Sequence, residues 1–137
     1  MSVSTRLSDN GEITAWVIDE YDPDKACVML EKLIGTGVII PALYNYATLR
    51  YDTSKTLEKD PQSDDHYPLR FFSKSGAPIV LVSQVTAGYD GTGPCCAKKC
   101  IDKMGFKISK EQEQIIYSQP CKTLGTIINL AFYKRSD

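Results

Sequence analysis

Ile79-Val80-Leu81-Val82, followed after a short interval by Gly88-Tyr89-Asp90-Gly91-Thr92-Gly93-Pro94 and then by an amphipathic run ending at Gly105, decides how this chain is read. A continuous apolar run of this length is a buried strand. The glycines form a turn, and the proline opens a helix whose apolar positions are Cys96, Ala97, Cys100, Ile101 and Met104. Strand, glycine turn and helix N-terminus make a corner where backbone amides without helical partners can meet an anion. The ligand-contacting candidates are therefore Tyr89, Asp90, Gly91, Thr92, Gly93, Cys95 and Cys96. A turn whose glycines merely supply unusual backbone angles is the alternative.

The corner matches no standard phosphate motif. Gly88 and Gly93 have the gap of G-x-x-x-x-G-K-[ST], but Pro94 and Cys95 stand where lysine and a hydroxyl residue are required. The dinucleotide fingerprint fails because Cys96 occupies its third glycine position. Neither an NTPase of that type nor a Rossmann enzyme is expected, and no cofactor is assigned.

Outward from the corner, Asp22 and Pro23 cap and open a first helix, with Ala26, Cys27, Leu30, Leu33 and Ile34 at helical spacing up to Gly35. Strands are expected over 12–18, 38–40, 43–51, 67–73 and 78–85, the last two joined through Lys74-Ser75-Gly76, and a closing strand over 123–133. Residues 111–118 fit either a short helix or a strand. Residues 52–66 are almost wholly polar and read as a long flexible loop. The fold class is α+β, an antiparallel or mixed sheet of about five or six strands with two packed helices, in one domain spanning 1–137.

Sixteen basic against 17 acidic residues leave a net charge of -1, so no broad field draws in nucleic acid or an anionic membrane, and nucleic acid is not an expected partner. The most apolar stretch falls short of the about 20 residues that span a bilayer. The N-terminus lacks a secretory signal. Five cysteines, an odd number, fit reduced thiols in a cytoplasm. Their spacing does not match a zinc site, and no metal is expected.

Cys95, in the first turn of the second helix, is a conceivable nucleophile, with His66 the single histidine able to serve as its base. Tyr44, Tyr46, Tyr51, Tyr67, Phe71 and Phe72 cannot all point inward from alternating strands, so some ring is exposed for recognition. These features suit a non-enzymatic binding protein for a small anionic, nucleotide-like ligand at the glycine corner. A second reading is an inhibitor or toxin-immunity-type protein whose acidic loop, with Asp60, Asp64 and Asp65, meets a basic protein partner. A small cysteine-dependent enzyme is the third.

Overall fold

The computed structural model describes residues 3–52, 66–87, 91–117 and 127–134. Its strands are β1 (Val3–Leu7), β2 (Ile13–Ile18), β3 (Tyr46–Asp52), β4 (Leu69–Phe72), β5 (Ile79–Val82) and β6 (Ile127–Tyr133), and its helices are α1 (Pro23–Gly35), α2 (Thr92–Lys103) and α3 (Lys110–Tyr117). The strands form one mixed sheet in the order β1-β2-β5-β4-β3-β6. Among the described strands, only β2 and β5 run parallel, with Ala15 opposite Ile79 and Ile18 opposite Val82. The chain is an α+β fold with helices packed on a sheet.

α1 begins where its sequence says it should. Asp22 is extended at φ -141° and its carboxylate accepts from the Lys25 amide at 2.9 Å. The helix ends with Gly37 at φ 80° donating to the Ile34 carbonyl and Ile39 donating to Leu33. Those bonds explain why 38–40 is not a strand: Ile39 is buried against the end of α1, and Ile40 leads into a 3-10 turn at Pro41–Leu43. A third helix, α3, stands where the sequence admitted strand or helix. Ser109 and Gln112 cap it reciprocally, the Ser109 hydroxyl accepting from the Gln112 amide at 3.1 Å and the Gln112 side chain from the Ser109 amide at 3.0 Å.

Alternation along the strands separates two faces. Ile18, Ala47, Leu49, Leu69, Phe71, Val80, Val82, Leu130 and Phe132 bury toward the helices, joining Ala26, Cys27 and Leu30 of α1 and Cys96, Ala97, Cys100 and Ile101 of α2. Each large side chain hidden this way contributes about 1.5–3 kcal/mol. The residues out of phase with these lie on the opposite face. There, Ala15, Val17, Leu81 and Tyr67 make a second small cluster, with the Arg6 guanidinium 5.6 Å from the Tyr67 ring centre. β1 was not expected from sequence; it pairs with β2 through the 8–11 turn, with a register shift between Arg6 and Leu7.

Candidate functional sites

β2 and β5 each run, at the same end of the sheet, into a helix: β2 into α1 and β5 into α2. The carboxyl ends of neighbouring parallel strands are where open sheets place ligands. The fully buried Ser83 ties the two strand ends together, its hydroxyl accepting from the Glu20 amide at 3.0 Å, and Gln84 follows at a positive φ of 68°. Unlike α1, α2 has no side-chain cap among the described residues, because Gly91 occupies the N-cap in extended backbone at φ -176°. The Cys95 amide is already engaged, donating to the Gly91 carbonyl at 3.1 Å, and Pro94 has no N–H. Thr92 and Gly93 therefore supply the first-turn amides that precede the helical bonding pattern. Thr92 is exposed, Gly91 half-buried, and Gly93 and Pro94 buried. Tyr89 and Asp90 lie outside the described residues. Asp19, Glu20, Asp22 and Asp24 bring negative charge to this same end of the sheet.

The thiols divide by helix face. The Cys96 thiol donates to Asp24 at 3.3 Å, linking the first turns of α1 and α2, and burial together with that carboxylate pushes it up to about 12. Cys100 is held well above the ordinary thiol range by its hydrogen bond with Cys27 across the helix interface and by burial. These three are buried, whereas Cys95 is partly exposed on the side of α3. There it meets Tyr117, whose hydroxyl is pushed up by burial and, secondarily, by Cys95. His66 has its own partner, with Nε2 3.1 Å from the Asp19 carboxylate and its ring edge-on to Tyr67 at 4.9 Å. Among the described residues no hydrogen bond joins Cys95 to His66, and no group of three or more His, Cys, Asp or Glu is arranged to hold a metal. Asp60, Asp64 and Asp65 lie outside the described residues.

A third place collects side chains that sequence reading did not bring together. Tyr44 and Phe71 are buried among the core residues and Tyr67 on the opposite face, but Tyr46 and Phe72 point out of the sheet, their ring centres 5.4 Å apart. β6 pairs with β3 so that Tyr133 falls opposite Tyr46, at 4.8 Å between ring centres. Tyr133 is 70% exposed and forms a ridge between two depressions. One, of about 430 Å³, is lined by Asn45, Tyr46, Phe72, Ser73 and Lys74. The other, of about 830 Å³, is lined by Lys107, Ile108, Ser109 and Gln112 beside Gly105. Tyr133 and Lys134 belong to both, and no described carboxylate lines either. Lys134 is committed to the fold: its ammonium donates to the Pro41 carbonyl at 2.7 Å, lies 4.8 Å from the Phe106 ring centre, and is shifted below the usual lysine range by burial. Lys74 and Lys107 are exposed. Arg50, Arg70 and Thr48 continue the same outer face inward from the aromatic group.

No family model matches the chain, and neither does any curated protein or solved structure. Among the described residues, no helix is long and apolar enough to cross a membrane.

Proposed function

We propose that this chain is a non-enzymatic binding protein for an anionic, nucleotide-like ligand, and that the ligand sits at the Tyr133 end of the outer sheet face. The observation that carries this reading is the pairing of an exposed aromatic ridge with two flanking depressions that contain lysines and no described carboxylate. An exposed tyrosine offers a flat face for a base to stack on, and the lysines supply the charge a phosphate needs. Depressions of several hundred Å³ are in the range of small-molecule sites. The test is a ¹⁵N-resolved titration with adenosine monophosphate. Shifts should gather at Tyr46, Phe72, Lys74 and Tyr133, and absence of any shift there would refute the placement.

A second placement keeps the same ligand class at the glycine corner. It is favoured by the contrast between α1, closed by the Asp22 carboxylate, and α2, opened by Gly91 without a side-chain cap. The carboxylates of Asp19, Glu20, Asp22 and Asp24 oppose an anion there, which ranks it below the Tyr133 site. In the same titration it calls for shifts at Gly91, Thr92 and Gly93 instead. The inhibitor reading, in which the chain blocks a basic protein through Asp60, Asp64 and Asp65, calls for a protein adduct in native mass spectrometry.

A further inference from the structure

The two depressions share Tyr133 and Lys134, so a ligand that fills both must cross the exposed ring. Each alone suffices for a small molecule, and the pair joined over one ridge suits a chain of repeating units. Lys74 stands on one side of the ridge and Lys107 on the other, so the repeating unit carries negative charge at both positions. The net charge of -1 does not oppose this, because it averages over the whole chain and no described carboxylate lines either depression.

An extended acidic peptide would satisfy the charge but would gain most of its affinity by adding to the outer edge of β6. That edge is interrupted at its middle, where the Gln112 side-chain amide of α3 donates to the Ala131 carbonyl at 2.9 Å. A duplex would keep its bases stacked inside, out of reach of a ridge of this kind. Unpaired bases have free faces, and stacking on aromatic side chains beside cationic grooves is how single strands are held.

Resting on the reading that the Tyr133 ridge is the ligand site, we infer that it binds single-stranded nucleic acid. A base stacks on the Tyr133 ring, and the flanking phosphates lie at Lys74 on one side and Lys107 on the other. The experiment is fluorescence anisotropy with a fluorescein-labelled oligouridylate of about a dozen nucleotides, using the full chain and four variants. Tyr133→Ala should weaken binding about 5- to 150-fold, the range for loss of one stacking partner. Tyr133→Phe, which keeps the ring, should bind as the parent does. Lys74→Ala and Lys107→Ala should each lower the slope of log affinity against log salt by about 0.7. Circular dichroism confirms that each variant is folded, as expected for exposed side chains.

Oligouridylate affinity unchanged by Tyr133→Ala would overturn the inference, as would stronger binding to a duplex of the same length. So would an oligomer that binds no tighter than adenosine monophosphate while the monophosphate still shifts Tyr133, and that outcome would leave the small-ligand reading standing. No response to either probe at about 50 mM salt would remove both.

Discussion

Tyr44→Phe isolates a single buried hydrogen bond that ties the turn before β3 to the start of β5. The Tyr44 side chain is 2% exposed and its hydroxyl donates to the Pro78 carbonyl at 2.6 Å. Phenylalanine keeps the ring and its packing, so the loss is the bond itself plus the cost of leaving a carbonyl without its donor, together about 1–2 kcal/mol. For a chain of this length that corresponds to a fall in Tm of about 4–7 °C. The difference should also depend on pH in one direction. Burial raises the Tyr44 pKa, so the folded state holds the proton to higher pH than the unfolded chain does. The stabilisation is therefore fully present below about pH 10 and is lost as pH rises through the folded value. Phenylalanine cannot ionise, so the gap between parent and variant narrows above about pH 10. Tyr46, Tyr67 and Tyr117 are also raised and weaken both proteins alike, which leaves the gap as the report on Tyr44. Urea denaturation at neutral and alkaline pH measures it. A neutral-pH difference below about 0.5 kcal/mol, or a gap that widens with pH, would refute the reasoning.

Three further outcomes follow from other contacts. Asp22→Ala removes the α1 cap and should destabilise the fold by about 1 kcal/mol in urea denaturation, whereas Thr92→Ala, at the uncapped end of α2, should cost less. Cys95 should react with a maleimide near neutral pH well before Cys96, which is buried and shifted up to about 12, with peptide mass mapping as the readout. Gln112→Ala removes the side-chain bonds to the Ser109 amide and the Ala131 carbonyl, and should lower stability by about 1–2 kcal/mol and promote self-association through the uncovered edge of β6, seen by sedimentation velocity at increasing concentration.

The legible parts of this fold are those with local chemical punctuation. Asp22-Pro23 and the glycines after Ile34 bound α1 because caps and turns act within a few residues. The buried stripe of α2 follows from helical spacing alone. α3 was left open between helix and strand; the local signal that decides it is the Ser109–Gln112 pair, at the three-residue interval of a capping box. β1 is harder to see. Its polar members Ser4, Thr5 and Arg6 make an edge strand whose stability comes from pairing with β2 rather than from its own burial. The apolar run 38–40 resembles a strand but serves the end of α1, a role visible only once Ile39 is seen to donate to Leu33.

The candidate ligand site was only half readable, for a physical reason. Alternation requires some aromatic rings of β3 and β4 to face outward, and Tyr46 and Phe72 do. Their joining by Tyr133 depends on β6 pairing with β3, a contact between distant parts of the chain that no local pattern encodes. Net charge was equally uninformative, because it averages lysine-lined depressions with acidic stretches elsewhere, such as Asp19, Glu20, Asp22 and Asp24.

The most direct test of ligand capture at Tyr133 is a search for intermolecular nuclear Overhauser effects in the complex with adenosine monophosphate. The account predicts contacts between the purine protons and the Tyr133 ring, with Tyr46 or Phe72 close behind. Contacts confined to the amides of Thr92 and Gly93, with none to the Tyr133 ring, would contradict it.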